Sequence, residues 1–135
     1  MKKAFVFLLA LLMTVSITAC GRPASSDAES SSMVAIEAYI DQVMQTQEMQ
    51  DSIEYCKANN MDHQLEARKD TLVYKYTYTV AVSASAKELL NAQYDSLKDV
   101  LASLAEVVKK EEPAIKTVIW EYWSIDGELL ASFSS

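Results

Sequence analysis

Chain breakers and catalytic side chains are both scarce in this protein. Two glycines and two prolines are spread over 135 residues, so few positions can support a sharp turn. Long regular elements with short connections are expected rather than a loop-rich scaffold. Two glycines also exclude a glycine-rich phosphate cradle. The single histidine, His63, lies in a polar stretch near a turn and reads as a surface residue with no nucleophile to serve. Together with Cys56, seven positions away, it makes too few ligands for zinc. The stretch "DHQLEARKD" lacks the oxygen-ligand spacing and the glycine of a calcium loop. No metal or other cofactor is expected. Glu111-Glu112, or Glu121 with Asp126, could be paired for acid/base work, but an acidic chain produces such pairs by chance. A non-enzymatic role is the expectation.

Positive charge is also short. Twelve basic residues face 19 acidic ones for a net charge of −7, and removal of Lys2 and Lys3 with a leader leaves 10 against 19, or −9. Affinity for nucleic acid comes mainly from Lys and Arg neutralising phosphates, so a nucleic-acid partner is not expected. Anionic headgroups and anionic wall polymers are poor electrostatic partners for the same reason.

One long apolar run is present, at the start: "MKKAFVFLLALLMTVSITACG". Two lysines, an apolar core from Ala4 to Val15 and small residues up to Cys20 form a secretory signal layout. The core is shorter than the roughly 20 residues needed to cross a bilayer. Its end, Ile17-Thr18-Ala19-Cys20, resembles the bacterial lipobox. That resemblance implies a signal peptide over residues 1–19 and a diacylglycerol thioether on Cys20, with cleavage after Ala19. Two acyl chains, each burying methylenes at about 0.8 kcal/mol apiece, hold a stable anchor. "GRPASSDAESSS" then reads as a Ser-rich tether, so residues 20–32 carry the lipid and the flexible link. With Cys20 committed to lipid, Cys56 has no partner for a disulfide.

Residues 33–135 are expected to fold as one small α+β domain. Ile36, Tyr39, Ile40, Val43, Met49, Ile53 and Cys56 fall at helical spacings, which predicts one amphipathic helix with a weak point near Thr46, ending at Asn59-Asn60. "DHQLEAR" and "TLVYKYTYTVAV" predict a hairpin with a short first strand. On its second strand Leu72, Tyr74, Tyr76, Tyr78, Val80 and Val82 share one face. Ser85 and Glu88 have capping-box spacing at the head of a second helix, whose stripe runs through Leu90, Tyr94, Leu97, Leu101, Leu104 and Val108 and which Pro113 stops. "IKTVIWEYWS" and "LLASFS" flank Asp126-Gly127, a two-residue hairpin signal. The resulting expectation is two helices packed on a four-stranded antiparallel sheet, in the order helix-hairpin-helix-hairpin.

The lipobox, serine-rich tether, first helix, "LVYKYTYTV" strand, long second helix and terminal strand with its "SIDGELLASF" hairpin together resemble a family of short Gram-positive lipoproteins built around a domain of unknown function. The resemblance implies an extracytoplasmic, membrane-anchored location and supplies no catalytic residue. Within "VIWEYW", Val118, Trp120 and Tyr122 face one way and Ile119, Glu121 and Trp123 the other, so one tryptophan must lie opposite the buried side. Trp120, Tyr122 and Trp123 are therefore the candidate binding patch, for a protein or a glycan at the cell envelope. The function expected is a non-catalytic binding module, with an accessory subunit of an envelope membrane complex or a small wall-active enzyme as alternatives.

Overall fold

The computed structural model describes residues 28–135. The expected signal peptide, Cys20 and the expected tether up to residue 27 lie outside the described residues; the last part of that expected tether, residues 28–32, lies in the first helix. Among the described residues seven elements follow one another: α1 (Ala28–Met44), α2 (Gln47–Ala58), β1 (Met61–Arg68), β2 (Thr71–Tyr78), α3 (Ala86–Glu111), β3 (Thr117–Trp123) and β4 (Leu129–Ser134).

The first helical stretch is two helices, not one. Thr46 leaves the helical region (φ −73°, ψ 148°) and becomes the N-cap of α2, its Oγ1 accepting from the Met49 N–H and donating to the Val43 carbonyl. A hydroxyl that bonds nearby backbone competes with the helix ladder, which is why the weak point is a break. At the other end of α2, Asn59 caps and Asn60 takes the left-handed conformation (φ 59°) that asparagine tolerates. The predicted capping box at Ser85 does not form: Ser85 is nearly helical (φ −80°, ψ −2°), makes no side-chain cap, and its hydroxyl lies 2.9 Å from that of Ser83.

The four strands lie side by side in sequence order, but the sheet is mixed. β1–β2 and β3–β4 are antiparallel, whereas β2 and β3, the central pair, are parallel. This overturns the expected all-antiparallel sheet and the two-helix count, and the order is helix-helix-hairpin-helix-hairpin. The cause is the length of α3. Its 26 residues at about 1.5 Å each return the chain over the whole sheet, so β3 starts at the end where β2 started. A helix between two adjacent strands is the βαβ crossover that parallel pairing requires. Two smaller expectations also change. β1 is as long as β2. The β3–β4 connection is longer than two residues: the Gly127 N–H reaches the Ser124 carbonyl (3.1 Å), and the Ser124 N–H reaches Glu128 (2.8 Å). Only Gly127 in that connection has positive φ (83°), which fits a turn closed by a left-handed glycine.

All three helices bury their apolar residues on one face of the sheet. Ile36, Tyr39 and Val43 from α1, Met49 and Cys56 from α2, and Leu90, Leu101, Leu104 and Val108 from α3 join Leu72, Tyr74, Tyr76, Val118, Trp120 and Phe133 in one cluster. α1 and α2 lie over β1 and β2, and α3 lies over β4 and β3. Tyr39, which donates to Glu111 Oε2 at 2.8 Å, ties α1 to the end of α3. The tyrosines of β2 are core, as their alternation predicted, although the strand ends at Tyr78 and leaves Val80 exposed. They belong to an aromatic file that crosses every strand. His63 stacks on Tyr76 (4.5 Å), Tyr76 on Tyr122 (5.0 Å), Tyr122 meets Phe133 edge-on (6.1 Å), and Phe133 stacks on Tyr94 of α3 (4.2 Å). Each such pair contributes about 0.5–1.5 kcal/mol beyond the area it buries.

His63 is thus not the surface residue expected. It points into the core from β1, with Nδ1 3.3 Å from Ser52 Oγ and Nε2 without a hydrogen-bond partner. Burial lowers its pKa to about 4, so the ring is neutral at pH 7. The register explains the error: His63 pairs with Tyr76, and the polar residues Asp62 and Gln64 on either side take the outer face.

Candidate recognition surface

The expected aromatic patch is divided by the pleat of β3. Trp120 pairs with Tyr74 on one side and Phe133 on the other. It is 2 % exposed, is stacked on Tyr74 at 5.7 Å, and its Nε1 has no hydrogen-bond partner. Tyr122 lies on the same side, half-buried between Tyr76 and Phe133, and burial pushes its hydroxyl up to about 12. Trp123 alone reaches the face turned away from the helices.

On that outer face Trp123 is held from two directions. Its Nε1 donates to Glu121 Oε2 at 2.9 Å, two residues back on the same face, and Lys75 Nζ lies 5.3 Å from the ring centroid. Glu121 also takes a forked pair of bonds from Arg68, Nη1 to Oε1 at 2.6 Å and Nη2 to Oε2 at 3.1 Å, while Arg68 Nε bonds Glu66 Oε1 at 3.0 Å. The guanidinium therefore bridges two carboxylates on strands β1 and β3, reaching over Val73 of β2, which is fully buried. Glu121 is only 5 % exposed. Burial pushes its carboxyl up, but the bonds from Arg68 and Trp123, with the charges of Arg68 and Lys75, outweigh that and hold it below the ordinary value. The same two glutamates raise the Arg68 pKa. A planar fork matched to a carboxylate is the strongest geometry available to such a pair. The network fixes the indole and leaves Glu121 ionised.

A second feature lies at the end of the sheet where the parallel strands β2 and β3 both finish. A cavity of about 250 Å³ opens there, lined by Tyr78, Val82, Ala86, Leu89, Leu90 and Gln93. Leu89 is 60 % exposed, and Val80, Ile125 and Leu129 are exposed beside these same chain ends. Lys87 of α3 bonds Glu128 of the β3–β4 connection, which brings the start of the helix to that end. Leu129, one of these exposed residues, pairs with Trp123 across the β3–β4 ladder.

The other residues weighed from the sequence are placed as follows. Cys56 is buried and its thiol is pushed up to about 11 by burial, which fits the small-hydrophobe reading. Glu111 accepts from Tyr39. Asp126 is exposed in the β3–β4 turn, and Glu121 is bonded to Arg68 and Trp123. Among the described residues no group of three His, Cys, Asp or Glu could hold a metal ion, and no helix is long and apolar enough to cross a membrane.

A family model, the domain of unknown function DUF4854, matches residues 36–133. The chain belongs to this family. The match begins at Ile36, a fully buried residue of α1, and ends at Phe133, a buried residue of β4. The DUF4854 domain is thus the packed unit itself, both faces of its sheet included. Neither the curated proteins nor the solved structures contain a match to the chain.

The alternation along β3 placed Trp120 and Trp123 on opposite sides of the sheet without deciding which faces out, and gave no sign of what holds Trp123. Glu66 and Arg68 are two apart on a strand, a spacing that puts both on one face. That signal was available. The reach from Arg68 to Glu121 was not, because it depends on β2 and β3 being neighbours.

Proposed function

We propose that this DUF4854 protein is a membrane-anchored, extracytoplasmic lipoprotein of a Gram-positive cell, and that it serves as a non-catalytic binding module. The observation that carries the binding role is the indole of Trp123, held by Glu121 and Lys75 with the exposed Leu129 opposite it on β4, at the end of the sheet where Val80, Leu89 and Ile125 are also exposed. Several large apolar residues exposed at one end of a small domain mark a candidate contact site, and an aromatic ring fixed beforehand costs little entropy to bind. The carboxyl beside this indole is shifted downward, whereas a general acid needs an upward shift. The anchor rests on the sequence: Lys2-Lys3, the apolar core, Ile17-Thr18-Ala19-Cys20 and the serine-rich link.

A protein partner suits this surface better than a glycan. The exposed Val80, Leu89, Ile125 and Leu129 are aliphatic, and Lys75 already lies over the Trp123 ring. This favours the alternative in which the domain is an accessory subunit of an envelope membrane complex. Two experiments test the proposal. Metabolic labelling with palmitate should mark the wild type and leave Cys20→Ala unlabelled; equal labelling of both refutes the anchor. Detergent pull-down through the full-length protein should recover a stoichiometric partner that Leu89→Asp and Trp123→Ala both release. Retention by both variants refutes the binding surface.

A further inference from the structure

The two edges of the sheet are built differently. β1, at one edge, carries Asp62, His63, Glu66 and Arg68 and leads into Lys69-Asp70. β4, at the other, is Leu129-Leu130-Ala131-Ser132-Phe133-Ser134, without a charged residue or a proline. Edge strands are normally blunted by charge, proline or a bulge, because an unpaired row of N–H and C=O groups is a template for another strand. β1 has that protection along its length. The irregularity in β4 is confined to its start, between Tyr122 and Trp123 of the partner strand.

The register identifies the unpaired groups. Val118 and Ser135 exchange both backbone bonds at 2.8 Å, so in the alternation of an antiparallel ladder Trp120–Phe133 and Tyr122–Ala131 do the same. Ser132 and Ser134, opposite Glu121 and Ile119, then turn their N–H and C=O away from β3. Their side chains are small and exposed on the outer face, where nothing bulky limits approach. Glu128, which precedes the strand, is paired with Lys87.

The geometry points to the β4 edge as a self-association surface, with a second copy of this chain as occupant. An antiparallel partner about a two-fold axis at Ser132 sets Ser132 against its own copy and Ser134 against Leu130. At the axis the outward N–H and C=O of Ser132 meet those of its own copy, with Ser134 facing the start of the partner's strand, and no foreign sequence is needed. Such an isologous contact closes at two copies, giving one eight-stranded sheet with the two outer faces continuous. The net charge of −7 opposes association only weakly, since charges further apart than about 8 Å are largely screened in physiological salt.

This inference does not depend on the lipid anchor. Sedimentation of the full-length chain in mild detergent should give a dimer, for the wild type and for Cys20→Ala alike. Ser132→Lys, which restores the usual edge charge, should weaken it about tenfold or more while leaving the thermal midpoint of the monomer in place. Oxidation should link Ser132→Cys covalently across the axis and leave Gln64→Cys, on the β1 edge, unlinked. A monomeric wild type overturns the inference. So does a dimer that survives Ser132→Lys, or that links through residue 64 instead of 132.

Discussion

Trp120 and Trp123 stand three residues apart on β3 and belong to opposite sides of the sheet: one is sealed under α3's layer against Tyr74, the other is bonded to Glu121 on the outer face. Their emission should separate accordingly. Acrylamide should quench Trp120→Phe, which keeps only Trp123, more strongly than Trp123→Phe. Truncation should separate them too: Trp120→Ala should cost about 3–5 kcal/mol, the range for a buried aromatic, and Trp123→Ala about 1 kcal/mol, the range for one hydrogen bond. Urea denaturation checks both figures, and equal quenching would contradict the division.

Glu121→Gln should cost about 1–2 kcal/mol at pH 7, less than a fully buried pair because Arg68 is 40 % exposed. The folded pKa of Glu121 lies below its ordinary value of 4.5, so the unfolded chain takes up the proton first on acidification. Its contribution is complete above pH 4.5 and is lost as pH falls through the folded pKa. The stability difference between wild type and Glu121→Gln should therefore shrink below pH 4.5 and stay level above it.

His63 titrates in a different window. Its folded pKa is about 4 against 6.5 when free, so the unfolded state gains the proton between those values and stability falls with pH over that interval. The largest loss, at one unit to about 1.4 kcal/mol, is about 3 kcal/mol near pH 4. His63→Phe keeps the stack on Tyr76 and removes the unpartnered nitrogen. It should flatten the stability curve between pH 6.5 and 4 and leave the fall below pH 4.5 due to Glu121. An unchanged curve would show that the imidazole is solvated.

Thr46→Ala removes the hydroxyl that accepts from Met49. Loss of an N-cap costs about 1 kcal/mol. Hydrogen exchange should rise at Met49 and Gln50, whose amides open α2, and not in α3.

The sequence was most legible where one residue type repeats with one period. The β2 tyrosines and the α3 leucines declared their buried sides because alternation and the 3.6-residue period are properties of single elements. The parallel β2–β3 pair was missed because hairpin signals such as Asp126-Gly127 describe neighbours in sequence, while strand direction across a helix follows from where that helix ends. The same gap concealed Arg68 and Glu121, 53 residues apart. His63 was misjudged because its sequence neighbours are polar. On a strand the neighbours that matter are two away and across the ladder.

The central parallel pair also divides the molecule into two consecutive pieces. α1, α2, β1 and β2 form one, α3, β3 and β4 the other, and each packs its helices on its own hairpin. They are joined by the β2–β3 ladder, the Tyr74–Trp120 and Tyr76–Tyr122 stacks on its inner side, the Arg68–Glu121 and Lys75–Trp123 contacts on its outer side, and the Tyr39–Glu111 bond. A cut between Thr79 and Ser85 would break no strand or helix. The two fragments, expressed separately, would carry complementary halves of one aromatic seam, and their reunion could be followed as the burial of Trp120.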